Sequence, residues 1–165
     1  GCIVRLEGNL WMTGCIRVSV KAIVVVDGRI LLAKQRDSQG VWYCLPGGGQ
    51  QHGETVEAAL IRECAEETGL HVRPGRVLFV RDYIAEHHEF ADEDPGAHQV
   101  ELMFLCELAD SNRDPAVRVA DPMQIGAEWV ELDKLSECRL YPKALASLLV
   151  DGLPMGGAVY LGDVN

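Results

Sequence analysis

Glutamates at positions 63, 66 and 67 are the residues of this chain best placed to do chemistry together. The segment from Thr55 to Thr68 contains no helix breaker and is rich in good helix formers, which predicts a helix. On a helix, the spacing i, i+3 and i+4 places Glu63, Glu66 and Glu67 on one surface patch. At ~4 Å and an effective dielectric of about 20, each like-charged pair costs about 4 kcal/mol. A hard divalent cation with oxygen ligands offsets that repulsion, most simply Mg²⁺, with Mn²⁺ as a substitute.

Glycines bracket the predicted helix. The helix begins near Glu54 or Thr55, where a side-chain oxygen accepts from free backbone N–H groups. It ends at Gly69, because glycine takes positive φ without a Cβ penalty. A short strand predicted over residues 41–45 leads into a turn at Gly47–Gly49, at the mouth of the helix. Backbone without side chains allows a phosphate to approach closely there, next to the acidic patch.

An acidic helix face is usually only a solvated surface, and that interpretation competes with a metal site. The surrounding residues decide between the two. Their spacing over residues 48–70 resembles the Nudix box, with fixed positions at Gly48, Glu54, Arg62, Glu63, Glu66, Glu67 and Gly69 and apolar Cys64 and Leu70. At usages of roughly 5 to 7 % per residue type, seven fixed identities recur by chance in about one window in 10⁸ to 10⁹. By this resemblance the chain is identified as a member of the Nudix hydrolase family.

The resemblance implies a role for each box residue. In the Nudix family, glutamates at the positions of Glu63, Glu66 and Glu67 ligate a divalent metal, and the backbone carbonyl of Gly48 adds a ligand. Glu54 and Arg62 help to orient the site, and Glu63 is the nominated general base or a shared ligand. The implied reaction hydrolyses a pyrophosphate bond in a nucleoside diphosphate linked to another moiety. Cys64 departs from the branched aliphatic residue usual at its position, which affects packing and leaves the carboxylates intact.

Beyond the box, Glu101 is a charge inside an apolar strand predicted over residues 99–108. Burying such a charge is costly unless it is paired or metal-bound. The family often has a further glutamate outside the box as a ligand or base, and Glu101 is the candidate. An outward-facing or salt-bridged glutamate is the alternative. The acidic loop over residues 87–97 is either solvated or a lid that contributes an extra carboxylate.

Substrate-binding candidates lie on both sides of the box. Arg36 and Lys34 precede the glycines and are candidates for holding phosphate, with solvated surface cations as the alternative. Trp42, Tyr83 and Phe90 are candidates for stacking on a base, with core or rim packing as the alternative. Some ADP-ribose and dinucleoside-polyphosphate members carry a Pro or a Tyr about fifteen to eighteen residues past the box. Here the matching stretch is Ala85-Glu86-His87-His88, so neither marker is present. The expected substrate is a nucleotide sugar or an ADP-ribose-like compound, ahead of a nucleoside triphosphate.

The order of elements predicts an α+β fold, in which helices flank a mixed, mainly antiparallel sheet as a Nudix-type α/β/α sandwich. The predicted strands cover residues 17–26, 30–33, 41–45, 77–85, 99–108 and 128–132, and the predicted helices cover 55–68 and 142–149. The first two strands form a hairpin, and 77–85 pairs antiparallel with 99–108. The domain covers residues 14–151, between an N-terminal extension over 1–13 and a C-terminal tail over 152–165. A short apolar run at 158–161 either adds an edge strand or mediates a homodimer contact.

Composition disfavours several function classes. The formal charge of −10 disfavours nucleic-acid partners, which require clustered Lys and Arg. No run approaches eighteen apolar residues, so neither a transmembrane helix nor a membrane partner is expected. The six cysteines show no Cys-x-x-Cys spacing, which favours free thiols and a cytoplasmic location. A small nucleotide is the expected partner. A catalytically silent nucleotide-binding module and isopentenyl diphosphate isomerase chemistry stay open as alternatives of the same fold.

Overall fold

The computed structural model describes residues 15–118 and 122–165. The predicted N-terminal extension over residues 1–13 lies outside the described residues. Nine strands and two helices form within those ranges. They are β1 (Arg17–Val26), β2 (Arg29–Asp37), β3 (Gly40–Cys44), β4 (Gly47–Gly49), α1 (Val56–Thr68), β5 (Val72–Ile84), β6 (His98–Leu108), β7 (Gln124–Glu131), β8 (Leu140–Tyr141), α2 (Ala144–Val150) and β9 (Val159–Asp163).

The hairpin of β1 and β2 forms as predicted. Asp27 and Gly28 turn the chain with φ of 51° and 73°, the positive values that a two-residue hairpin turn requires. β2 continues to Asp37, beyond its predicted end at residue 33. Its polar second half stays extended because it pairs with β3 on one side and β7 on the other. A central position in the sheet therefore overrides the weak strand propensity of those residues.

The sheet is mixed and mainly antiparallel, which confirms the predicted class. Its strands follow the order β8-β3-β2-β1-β6-β5-β9, with β4 paired to β1 and β7 paired to β2. The pairs β1–β6, β3–β8 and β5–β9 are parallel, and the other pairs are antiparallel. β5 pairs antiparallel with β6 as predicted, and it starts at Val72 instead of residue 77. Its register shifts after Pro74, which hid the early part of the strand from the sequence pattern.

Two apolar clusters cover the two faces of the sheet. On one face α1 buries Ala59, Leu60 and Cys64 among side chains of β1, β2, β5 and β6. On the other face α2 buries Leu145 and Leu149. This arrangement confirms the predicted α/β/α sandwich. The Cys64 thiol is fully buried and acts as a small hydrophobe, and burial raises its pKa well above the ordinary value.

The polar segment that precedes β7 holds the end of α1. The backbone N–H groups of Ala116 and Arg118 donate to the carbonyls of Thr68 and Glu66 at 2.7 and 2.9 Å. These contacts satisfy carbonyl groups that the last turn of a helix leaves without intrahelical partners. The contact is close, because a Cβ at Gly69 would lie 2.4 Å from the Ala116 carbonyl oxygen. The segment therefore fixes the position of the helix that holds the box glutamates.

The tail forms an edge strand, which is the first of the two alternatives given for residues 158–161. β9 pairs in parallel with β5, with Phe79 opposite Val159 and Val80 opposite Tyr160. A homodimer contact through the tail stays a prediction. Among the described residues, no helix combines the length and apolar character that crossing a membrane requires.

Candidate active site

Helix α1 begins and ends where the sequence predicts. The Thr55 side chain accepts a hydrogen bond from the Ala58 N–H at 3.1 Å, which caps the first turn. Gly69 ends the helix with φ of 68° and donates its N–H to the Ala65 carbonyl. With both ends fixed, the helix holds the three box glutamates at set heights along its axis.

Gly47 and Gly48 belong to the short strand β4, where the sequence predicts a turn. A Cβ at Gly47 would lie 2.0 Å from the Val20 carbonyl oxygen, and one at Gly48 would lie 2.6 Å from the Glu63 carboxylate. The Gly47 N–H donates to Glu67 Oε2 at 2.9 Å. Glycine is required here because the backbone of β4 is pressed between β1 and two box glutamates. The structure thus brings the predicted Gly48 ligand position and Glu63 into direct contact.

Arg62 ties the box carboxylates together. Its Nε and Nη2 donate to both oxygens of Glu54, at 2.8 and 3.0 Å. Its Nη1 donates to Glu63 Oε1 at 2.7 Å and reaches Glu66 Oε2 at 3.4 Å. The hydrogen bond from Arg62, with another from the Gln51 N–H, lowers the pKa of Glu54 to about 2. This geometry suits the orienting role predicted for Glu54 and Arg62.

Negative charge is in excess around β4. The cations near the four box carboxylates include Arg62, Arg17 and Lys21. The Arg17 guanidinium lies against Gly49, and Lys21 Nζ donates to the Gly47 carbonyl at 2.9 Å. Burial acts to lower the pKa of Lys21, but nearby Cys44, Glu101 and Glu67 outweigh it and raise the pKa. Within the described residues, no three His, Cys, Asp or Glu side chains are placed to hold one metal ion together. Glu63 and Glu66 point to Arg62, whereas Glu67 accepts from the Gly47 N–H. The donor set of carboxylate and carbonyl oxygens, with uncompensated negative charge, fits a hard divalent cation.

Glu101 is buried and salt-bridged, as one of the sequence alternatives proposed. It is 2 % exposed, and Arg81 Nε on the neighbouring strand donates to its Oε1 at 2.8 Å. A second contact of the same guanidinium, from Nη1 to the Val164 carbonyl at 2.5 Å, links the pair to the tail. The pairing satisfies a carboxylate that would otherwise be costly to bury. A metal-binding role for Glu101 stays a prediction.

A cleft with a volume of about 160 Å³ opens next to Glu101 and Lys21. Lys21, Arg81 and Glu101 line it together with an aromatic wall. The wall consists of Trp42, Phe90 and Tyr141, whose ring centroids lie 5.0–6.4 Å apart. The structure thus brings together Trp42 and Phe90, two of the three predicted stacking residues, and the third, Tyr83, lines the same cleft.

The predicted phosphate-binding cations lie elsewhere. Lys34 Nζ pairs with the Glu128 carboxylate at 3.0 Å, and the Tyr43 hydroxyl donates to the same carboxylate at 2.5 Å. Arg36 is exposed on the same strand, and neither cation lines the cleft. Their phosphate-binding role stays a prediction that this geometry does not favour.

Sequence reasoning missed several residues that line the cleft, among them Lys21, Arg81, Tyr141 and Asn165. The signal that singled out Glu101, a charge within an apolar strand, also marks Lys21 and Arg81. Tyr141 carries no local signal, because it meets Phe90 only through the folding of a distant loop. The fold therefore supplies the cleft with two cations and a third ring.

The loop that carries Phe90 is closed at its neck. The Ala85 N–H donates to the Ala97 carbonyl at 2.9 Å, and the Gly96 N–H donates to the Glu86 carboxylate at 3.1 Å. Lys143 donates to Glu89 at 3.0 Å, which ties the loop to the start of α2. These contacts hold the loop against the cleft. A loop carboxylate as a metal ligand stays a prediction.

Comparison with known proteins agrees with this geometry. The chain is 36 % identical over 93 residues to the ADP-ribose pyrophosphatase of Methanocaldococcus jannaschii, covering 55 % of this chain and 50 % of that protein. It is 46 % identical over 127 residues to the human 8-oxo-dGDP phosphatase NUDT18, covering 76 % and 34 %. It matches the Nucleoside diphosphate-linked moiety X motif 6 protein of Xenopus laevis at 26 % identity over 134 residues, covering 79 % and 57 %. The chain spans between about a third and somewhat over half of the length of these curated relatives.

Solved structures show the same fold. A MutT NUDIX hydrolase from Burkholderia pseudomallei superposes with a TM-score of 0.62 at 33 % identity, over 80 % of this chain and 95 % of that one. A NUDIX hydrolase from Nitrosomonas europaea superposes with a TM-score of 0.65 at 20 % identity, over 83 % and 87 %. The family model described as NUDIX domain matches residues 16–149, which is most of the chain. The chain therefore belongs to the Nudix hydrolase family.

Proposed function

We propose that the chain is a Mg²⁺-dependent hydrolase that cleaves the pyrophosphate linkage of a nucleoside diphosphate joined to another moiety. The observation that carries this proposal is the cluster of four box carboxylates, two of which lie directly against the backbone of Gly47 and Gly48. Two curated relatives bear names of pyrophosphate chemistry, ADP-ribose pyrophosphatase and 8-oxo-dGDP phosphatase. A solvated acidic face would not need this packing of carboxylates against backbone.

We assign the ligands to Glu63, Glu66, Glu67 and the Gly48 carbonyl, with Glu101 as a further candidate. Divalent ions bound there would neutralise the diphosphate and lower the pKa of a bound water. Arg62 holds Oε1 of Glu63 at 2.7 Å, so that Oε2, packed against Gly48, is the oxygen assigned to accept the proton of that water.

The aromatic cleft supports a substrate with a nucleoside at one end. Lys21 links the two regions, because its Nζ contacts the Gly47 carbonyl while its side chain lines the cleft. A base against Trp42 or Phe90 would therefore leave a diphosphate within reach of β4. Nucleotide sugars and ADP-ribose-like compounds have this form, and nucleoside triphosphates share its first half. The silent-module alternative is less favoured, since every box carboxylate is present.

The proposal is tested by phosphate-bond cleavage over a panel of ADP-ribose, UDP-glucose, dinucleoside polyphosphates and nucleoside triphosphates, with and without Mg²⁺. We expect metal-dependent turnover of at least one diphosphate derivative into a nucleoside monophosphate and a phosphorylated product. Glu66→Gln should remove that turnover. The matched control is Glu107→Gln, since Glu107 is an exposed acid on β6 paired only with Arg73 at 3.6 Å. Tight nucleotide binding with no turnover of any compound would replace the hydrolase by the binding module.

A further inference from the structure

The tail contributes to the cleft although it lies beyond the segment that the family model matches, which ends at residue 149. Residues 159–163 form the edge strand β9, and Asn165 lines the cleft itself. What the tail supplies is therefore additional to the matched domain. The tail residues contact the cleft and not the box glutamates, so we relate them to the choice of substrate.

An acidic residue anchors the tail where β5 ends. Asp163 Oδ2 lies 2.6 Å from His87 Nδ1, and its Oδ1 lies 2.7 Å from His88 Nε2. Oδ1 also accepts the Ile84 N–H at 3.1 Å. The His88 ring in turn stacks on Tyr83, with ring centroids 5.6 Å apart and an interplanar angle of 10°. The Asp163 anchor thus joins the tail to a side chain of the cleft.

Beyond the anchor, the tail meets the floor of the cleft. Arg81 Nη1 donates to the Val164 carbonyl at 2.5 Å and reaches Asn165 Oδ1 at 3.4 Å. Arg81 is itself fixed by Glu101 at 2.8 Å. Because the amide oxygen of Asn165 faces this guanidinium, its amide nitrogen is directed elsewhere. The orientation of Asn165 is therefore set by a buried ion pair.

The amide nitrogen of Asn165 is buried and has no hydrogen-bond partner among the described residues. Trp42 Nε1 and the Tyr83 hydroxyl are in the same condition, and all three residues line this cleft. A buried polar group without a partner costs about 1–3 kcal/mol. The indole and amide N–H groups can only donate, and the hydroxyl can donate as well. The three residues that carry these unused donors therefore share one cleft with an aromatic wall.

We propose that Asn165 is a specificity-determining residue, which donates from Nδ2 to a carbonyl oxygen of the nucleobase in the cleft, and that Asp163 is its positioning residue. This inference rests on the proposed function and narrows it, because it favours nucleotide sugars of guanine or uracil over ADP-ribose-like compounds, whose base is adenine. Guanine and uracil offer exocyclic carbonyl oxygens to these donors, whereas adenine presents ring nitrogens beside an amino group that is itself a donor. The cleft accordingly selects carbonyl-bearing bases.

Binding of nucleoside monophosphates without metal tests this inference separately from hydrolysis. By calorimetry, we expect the protein to bind GMP and UMP more tightly than AMP. Asn165→Asp keeps the size of the side chain and its contact with Arg81 but replaces the donor by an acceptor. It should raise the Kd for GMP and UMP by about 3 to 10-fold, which corresponds to the loss of one neutral hydrogen bond. The Kd for AMP should change less. Met155→Ala, at a fully exposed position of the same tail, is the matched control.

Asp163→Asn tests the anchor. It should weaken GMP and UMP binding in the same direction, and it should speed hydrogen exchange at the β9 amides while leaving α1 protected. If Asp163→Glu shows the exchange protection and the GMP and UMP affinity of wild type, the losses in Asp163→Asn result from the lost anchoring of the tail. Wild-type affinity for all three nucleotides in Asn165→Asp would overturn the proposal, and so would tighter binding of AMP than of GMP and UMP. Neither result depends on whether any pyrophosphate bond is cleaved.

Discussion

Two charged clusters border the cleft, and they are balanced in opposite ways. In the box cluster, three carboxylates contact Arg62 and a fourth, Glu67, accepts from the Gly47 N–H, and the nearby cations include Arg17 and Lys21. In the tail cluster, the single carboxylate of Asp163 receives contacts from His87, His88 and the Ile84 N–H. An unbalanced cluster opposes folding unless a cation joins it, whereas a satisfied carboxylate stabilises the segment that it anchors. We therefore propose the box cluster as the site for chemistry and the Asp163 cluster as a structural anchor of the tail.

The largest expected effect comes from removing one charge of the box cluster. Glu66→Gln and Glu67→Gln should each lower kcat by more than ~100-fold, because even the outer-shell partners of a metal site are worth 10–100-fold. The free energy of unfolding of metal-free Glu66→Gln should stay within about 0.5 kcal/mol of wild type, or rise, since a repulsive pair is lost. Denaturant melts and steady-state rates measure the two quantities. Retained Mg²⁺-dependent activity in both variants would remove these residues from the ligand set.

Added Mg²⁺ should stabilise the protein through the box cluster and not through the Asp163 cluster. At a metal concentration of 100 Kd, binding to the folded state adds about 2.7 kcal/mol to the free energy of unfolding. We expect this gain in wild type and in Asp163→Asn, and its loss in Glu66→Gln. Thermal melts with and without excess chelator provide the measurement. An equal gain in all three proteins would show that Mg²⁺ binds outside the box.

Arg62→Lys tests whether the box cluster requires the planar geometry of the Arg62 guanidinium or only its charge. Lysine keeps the charge but cannot donate through a planar fork to both oxygens of Glu54. We expect kcat to fall by roughly 10 to 100-fold, as for other partners that orient metal ligands. The free energy of unfolding should fall by about 1–3 kcal/mol, the range of charge-assisted hydrogen bonds. Wild-type kcat in this variant would mean that charge alone suffices.

The smallest expected effect is that the Asp163 anchor of the tail loses its stabilising contribution at acidic pH. Burial acts to raise the pKa of Asp163, but hydrogen bonds from His88, His87 and the Ile84 N–H lower it to about 2. Since an unfolded aspartate has a pKa of about 3.9, the anchor contributes its full stability above ~pH 4 and loses it as the pH falls toward 2. Hydrogen exchange at β9 should show this loss in wild type. Asp163→Asn should lack the pH step, and an identical step in that variant would assign it to another group.

The sequence was sufficient for features that depend on neighbours along the chain. The caps of α1 at Thr55 and Gly69 follow from residue types within one helical turn. The hairpin turn at Asp27 and Gly28 is equally local. Cys64 is buried as expected, because the apolar stripe of an amphipathic helix faces the sheet.

What the sequence could not supply depends on register and on distant segments. Glu101 meets Arg81 because β5 and β6 pair in one register, and a shift by one residue would point the two side chains apart. Lys34 turns to Glu128 only because β7 lies beside β2. Tyr141 reaches the cleft through β8, a strand of two residues that no pattern reveals. The cleft was therefore harder to predict than the box.

The coil between β6 and β7 is coupled to the box in an unexpected way. Surface loops ordinarily tolerate insertions, because little depends on their length. Here the Arg118 N–H is hydrogen-bonded to the backbone of Glu66, whose side chain reaches Arg62. One residue added between Ala116 and Arg118 would pull on the last turn of α1 and move an acid at the site. Residues 116–118 thus work as a spacer of fixed length, and homologues that alter them should also differ in how they hold the end of this helix.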